Sequence, residues 1–296
     1  MQREVVALGA AHPDWEIRVL HVDTIGHTWR YLTGMWQVVR ETSKFRPDLV
    51  HVHYGLTQII TLPWRGPIVV TFHGSDVAIP WQRWLSRAFL RRQARPIVVG
   101  QHMGASLGAR GRDAEVIACG VDTNVFAPAT DAVATGSPPV DANRLILGFP
   151  SSPSRPVKDY ALFQETVAEL VGGGSSVDVR VFEGVDPGDV PNLLRSLSCL
   201  VMTSWREGSP VITREALCCG TRVVSVDVGD VRDQIAGLSG CEVVGERSAT
   251  ALAEAVKRVA SREVPDSRVA STRFALEAEA ERVARVYQRA IEGRAR

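Results

Sequence analysis

Apolar residues fall along this chain in short runs. At 17–22, 49–53, 67–72, 96–99 and 115–117 the runs are continuous or β-branched enough to predict strands buried on both faces, with helical or irregular stretches between them. A second alternation predicts strands at 145–148, 177–182, 200–203, 222–226 and 241–244, again with helices between. Alternating strand and helix patterns predict parallel sheets covered by helices, hence an α/β fold of two Rossmann-like domains. Between the two series, 128–143 is small-residue sequence carrying Pro and Gly, the composition of a linker. The expected organisation is a first domain at 1–127, a linker at 128–143, a second domain at 144–268 and a closing segment at 269–296, whose 269–291 stretch is charged and helical in pattern.

Composition narrows the function classes. A chain of 296 residues, 45% hydrophobic and 23% charged, can bury two modest cores. Its net charge of +1 argues against a nucleic-acid binder, which shows a basic excess or stripe. The five cysteines, at 119, 199, 218, 219 and 241, form no C-x-x-C and no metal-ligand spacing, which favours packing roles in a reducing compartment. With no apolar run of membrane-spanning length and no secretory leader, a cytoplasmic location is expected.

Candidate chemistry concentrates between the strands predicted at 200–203 and 222–226. Glu207 and Glu215 lie there, at the carboxyl end of one strand and on the helix that follows. Ser209 is the expected N-cap, Pro210 the expected first helical residue and Gly220 the expected left-handed terminator. The amino end of such a helix favours a phosphate, just where open parallel sheets bind ligands. A nucleotide is the ligand this placement suggests. His73 ends a strand and precedes Gly74, so the backbone can turn tightly and present the ring at a sheet edge. His51 and His53 share a strand face, as two metal ligands could, but no third ligand at suitable spacing is evident, and packing with hydrogen bonding is the favoured reading. Within 80–96, Arg83, Arg87, Arg91 and Arg95 recur at helical spacing beside Trp84, Leu85, Ala88 and Phe89. The pattern suits peripheral contact with an anionic membrane, although a helix packed on its own domain is the favoured account.

Glu207-Gly208-Ser209-Pro210, then Glu215-Ala216-Leu217-Cys218-Cys219-Gly220, then Val-Val-Ser-Val-Asp-Val-Gly-Asp-Val-Arg at 223–232, resemble the donor-site signature of retaining, nucleotide-sugar-dependent glycosyltransferases of the GT-B fold, group 1 or family 4. In the first half 45–55, 69–76, 116–122 and Phe126 with Pro128 look like further landmarks of that family, in its order. The resemblance implies transfer of a sugar from a UDP-, GDP- or ADP-sugar to a hydroxyl of a carbohydrate, glycolipid or small-molecule acceptor, in carbohydrate biosynthesis. It places Glu207 on sugar hydroxyls and Glu215 on ribose hydroxyls. The resemblance also implies that Arg155 and Lys158 grip the diphosphate, with backbone N–H groups around Gly208, Ser209, Pro210 and Val211, and Lys158 is the firmer assignment because the loop is unusually spaced. It puts His73 close to sugar and acceptor, with Gly74, Ser75 and Asp76 on the acceptor side. The chain has no Asp-x-Asp, so no metal and no cofactor beyond the donor are expected, and protein groups would neutralise the diphosphate.

The family normally begins with a strand and a glycine-rich loop ahead of the region like 17–23, whereas here only 1–16 precedes it. The first domain is therefore expected to lack that strand and loop, and the last helix to cross back to it. A non-catalytic or truncated GT-B-like protein, binding a nucleotide sugar or serving as a partner subunit, is the alternative reading, and an epimerase or phosphorylase on the same fold is a third.

Overall fold

The computed structural model describes residues 2–22, 29–129 and 144–293. Most of the expected linker, 130–143, lies outside them. The chain divides into two compact units, one of residues 1–119 with 276–296 and the other of 120–275. Residues 120–127, expected with the first domain, and 269–275, expected with the closing segment, thus belong to the second unit.

The first unit contains α1 (Gln2–Ala11), α2 (Trp29–Phe45), β1 (Val50–His53), β2 (Ile68–Phe72), α3 (Ser75–Ala78), α4 (Pro80–Phe89), β3 (Arg95–Val98), α5 (Gln101–Gly104) and β4 (Glu115–Val116). Its strands are parallel in the order β1-β2-β3-β4. All five residues of β2 are buried, as expected of a β-branched run covered on both faces. One face carries Ile68, Val70 and Phe72 against Met103 and Leu107, and the other carries Val69 and Ile97 against the last helix.

Two expectations fail here. Residues 17–22 pair with no strand, and Ile17, Val19 and Leu20 are exposed. Apolar, β-branched composition measures fit to a pleated, half-buried surface, and without a neighbouring strand that surface does not exist. The helical arginine spacing of 80–96 also breaks, because α4 ends at Phe89. Arg91 instead donates to the carbonyls of Trp64 (2.5 Å) and Thr61 (2.6 Å), and Arg95 opens β3. Among the described residues no strand precedes β1.

The second unit contains β5 (Arg144–Phe149), α6 (Tyr160–Gly172), β6 (Ser176–Val181), α7 (Val190–Arg195), β7 (Cys199–Met202), α8 (Val211–Cys218), β8 (Val223–Ser225), α9 (Val231–Ile235), β9 (Cys241–Val243), α10 (Ala249–Ala260) and α11 (Ser267–Phe274). Its five strands are parallel in the order β6-β5-β7-β8-β9. The chain leaves β5 in one direction to make β6, then returns past it to make β7. The crevice at the carboxyl ends of β5 and β7 is therefore the topological switch point, where open α/β sheets bind ligands. Strand β7 is wholly buried, and Leu147, Leu200, Val201 and Val224 are fully covered beneath this crevice.

The helical pattern of 269–291 resolves into two helices broken at Ala275, whose ψ of 137° is extended. The second of them, α12 (Leu276–Glu292), packs Ala280, Val283, Ala284, Val286 and Ala290 onto Val69 and Ile97 of the first unit. Its 3–4 residue spacing of small apolar residues lets the helix lie close on the sheet.

Candidate functional site

In the second unit the loop after β5 ends at Asp159, in the left-handed region at φ 51°, whose side chain caps α6 by accepting from the Leu162 N–H. Asp159 in turn holds Arg247, at 2.6 Å. Arg247 also donates to the carbonyls of Thr203 (2.6 Å) and Ser204 (3.1 Å) and stacks on Trp205, 3.6 Å above its ring centre. The Thr203 hydroxyl donates back to the carbonyls of Lys158 (2.9 Å) and Asp159 (3.0 Å), and the Trp205 N–H to Val157 O (2.8 Å). The loops that follow β5 and β7 are thereby fastened together across the switch point.

On that framework Lys158 Nζ lies 2.6 Å from Glu207 Oε1, with only 14% and 13% of the two side chains exposed. Such a pair in a crevice is a charge-assisted contact that polar ligand groups can share. Gly208, Ser209 and Pro210 follow, and Val211 opens α8. Pro210, not Ser209, is the N-cap, and no side chain caps this end. Ser209 is diverted by a stronger partner: its hydroxyl donates to Asp230 Oδ2 (2.6 Å) and accepts from Arg214, itself 3.2 Å from Asp230 and 1% exposed. Gln234 donates to the other Asp230 oxygen at 2.8 Å. Gly229, at φ 60°, packs its Cα against Glu207, where an added Cβ would meet Glu207 Cβ and Gly208 O at 3.1 Å. Glu215 is half-buried on α8. The helix closes as expected at Gly220, φ 76°, with Gly220 N–H on Leu217 O and Thr221 N–H on Ala216 O.

Lys158, Glu207, Gly208 and Ser209 thus meet at the switch point, with α8 directed into it by its amino end. Arg155 is exposed midway along the loop that follows β5. The arrangement offers a cation and a helix terminus for phosphate oxygens and carboxylates for hydroxyl groups. Arg214 and Arg247, which help orient these groups, were not singled out in the sequence, and Gly229 and Asp230 were quoted only within the 223–232 run, with no role of their own. The Val-Gly-Asp at 228–230 was visible, but its partner was not.

The first unit gathers a second cluster at the carboxyl ends of β1 and β2. Asp76, fully buried, accepts from the N–H groups of Gly55 (2.9 Å), His73 (3.1 and 3.2 Å) and Gly74 (2.8 Å), so its carboxylate holds the turn and faces inward. Gly74 sits at φ 128°, which the turn requires. Ser75 Oγ lies 3.1 Å from Tyr54 Oη. The exposed His73 ring places Nε2 3.1 Å from His53 Nδ1. His53 Nε2 is 3.6 Å from Glu4 Oε2, and His51 Nδ1 is 3.9 Å from Glu4 Oε1. A carboxylate that sequence spacing did not supply is brought beside the two imidazoles by α1. Burial, then Glu279, pushes the Glu4 carboxyl up to about 7. Burial, then His73, holds His53 down to about 3, and burial keeps His51 well below its ordinary value and His73 below its own.

Two family models match the chain: one described as Glycosyltransferase Family 4 over residues 5–125, the other as Glycosyl transferases group 1 over residues 173–276. Among curated proteins, the putative teichuronic acid biosynthesis glycosyltransferase TuaC of Bacillus subtilis is 26% identical over 245 residues, 72% of this chain and 61% of its own length. The D-inositol 3-phosphate glycosyltransferase of Saccharomonospora viridis is 26% identical over 288 residues, 78% of this chain and 65% of its own. The chain therefore spans less than two thirds of the length of these relatives. Among solved structures, sucrose-phosphate synthase from Thermosynechococcus elongatus superposes with a TM-score of 0.70 at 17% identity, over 97% of this chain and 91% of that one. Anabaena HepE in complex with UDP and glucose gives 0.68 at 16% identity, over 97% and 96%. At such identities the likeness shows a shared fold, that of GT-B proteins with two Rossmann-like halves.

Proposed function

Because the chain belongs to the group 1 glycosyltransferases, we propose that it moves a sugar from a nucleotide-diphosphate sugar to an acceptor hydroxyl, with retention of anomeric configuration and without a metal at the diphosphate. The carrying observation is the Lys158–Glu207 pair bridging the β5/β7 switch point beside the amino end of α8. An arriving diphosphate finds Lys158, the α8 terminus and Arg155 to share its charge, and each stabilises the departing group more as negative charge accumulates there. Glu207 and Glu215 take the hydroxyls of sugar and ribose. In the transfer the acceptor oxygen bonds to the anomeric carbon while the bond to the diphosphate breaks. The acceptor proton passes to the departing phosphate on the same face, so configuration is kept without a protein nucleophile. His73 acts at the sugar and acceptor, with Gly74 and Ser75 shaping the acceptor side and Asp76 holding the turn. UDP-sugars are the first donors to try, since HepE was solved with UDP-glucose. Contact of acceptor or protein with a membrane surface, and a cytoplasmic setting, complete the proposal. Among the described residues no helix is long and apolar enough to cross a membrane.

The test is calorimetric titration of the purified chain with UDP-, GDP- and ADP-sugars, with Glu215→Ala as control. Micromolar binding that the variant loses is expected, followed by NMR of the product's anomeric configuration. A folded chain that binds none of them overturns the donor-site assignment, and an inverted product overturns the mechanism alone.

A further inference from the structure

From the first unit we infer a binding site for one divalent cation of the zinc class, formed by Glu4 of α1 with His51 and His53 of β1. Among the described residues these three form the one group whose ligand atoms all lie within 4.8 Å of one another. The separations carry the inference. Glu4 approaches His53 Nε2 at 3.6 Å and His51 Nδ1 at 3.9 Å, too far for hydrogen bonds yet in near contact. Two ligand atoms on one tetrahedral zinc, with bonds near 2.0–2.1 Å, stand about 3.3 Å apart, so an ion between these groups needs only a small contraction.

The outer contacts agree with this reading. A ligating imidazole normally holds its other nitrogen on a fixed partner, which sets tautomer and ring orientation. His51 has Nε2 2.7 Å from Thr71 Oγ1, and His53 has Nδ1 3.1 Å from His73 Nε2. Each ring therefore keeps one nitrogen on an outer partner and turns the other toward Glu4. Tyr287 Oη, 2.6 Å from His51 Nδ1, competes for that nitrogen and must yield when the ion enters. The ion ties α1 to the outer strand of the first sheet. The inference does not depend on sugar transfer.

The tag-free 296-residue chain, stripped with chelator and dialysed, is titrated with Zn²⁺ by calorimetry and with Co²⁺ by visible absorption. One equivalent of Zn²⁺ and a tetrahedral Co²⁺ spectrum are expected. Glu4→Gln and His53→Gln, checked for folding by circular dichroism, should each weaken binding by at least about tenfold. Tyr287→Phe, which frees the His51 nitrogen, should bind at least as tightly as the wild type. Failure of the folded wild-type chain to bind either ion overturns the inference, as does retention of wild-type affinity by either ligand variant. The wild-type measurement decides even if a variant does not fold.

Discussion

At the scale of single residues, Lys158 carries the most weight. Its Nζ sits 2.6 Å from Glu207 in a crevice that leaves both side chains largely covered, so replacing it removes a preorganised cation and strands a largely covered carboxylate. Lys158→Ala should lower kcat/KM for the donor by about 100-fold while far-UV circular dichroism stays unchanged. A loss of less than about threefold in a folded variant would remove Lys158 from the diphosphate site. Lys158 and Glu207 were picked out in the sequence by their family resemblance, Glu207 within a recognisable local run and Lys158 in a loop of unusual spacing, and the structure brings them together. Arg247 was not, since its partner Asp159 lies 88 positions away and only the closed sheet brings them to 2.6 Å. Glu4 is the same case: nothing in the spacing of His51 and His53 points to a carboxylate on a helix 47 positions earlier.

Among elements, the buried strands and helices of the second unit carry four of the five thiols. Burial pushes Cys218 up to about 11 and Cys219 and Cys241 to about 12, and moves Cys199 upward as well. A thiol whose folded pKa exceeds its unfolded value near 9 stabilises the fold fully below pH 9. That contribution is lost as pH rises toward 11–12, because the unfolded chain releases its protons first. The second unit should therefore melt at a lower temperature at pH 10 than at pH 8, and Cys219→Ala should flatten the dependence. Identical slopes for variant and wild type would sink this account. Element type proved legible wherever apolar runs had a neighbour to pair with: the strand expected at 200–203 is Cys199–Met202, and that at 222–226 is Val223–Ser225. It failed at 17–22, where the same residue types had no partner, and at Ser209, where Arg214 and Asp230 outcompete the helix end for the hydroxyl.

For the whole molecule, the second unit is one continuous stretch, whereas the first is assembled from both ends of the chain. The ends of the continuous unit meet: Val121 bridges Ala275, and its N–H donates to Phe274 O at 2.8 Å. A fragment of residues 120–275 should fold alone with a cooperative melt and bind the same nucleotide as the full chain. A chain cut after Ala275 should lose the first unit, because α12 supplies Ala280, Val283, Ala284, Val286 and Ala290 to its core. A truncated chain that still shows both units by amide exchange would contradict this division.

That last helix also sets an order on the ribosome. Everything the second unit needs has been synthesised when residue 275 emerges, so it can complete its core while the first unit still waits for α12. At about 5–20 residues per second, roughly 9 to 35 s separate the synthesis of the first half of that core from the completion of its closing helix. During this interval the face of β2 and β3 that α12 covers, Val69 and Ile97 included, stands uncovered, making the nascent first unit a natural client for chaperones that shield apolar sheet surfaces.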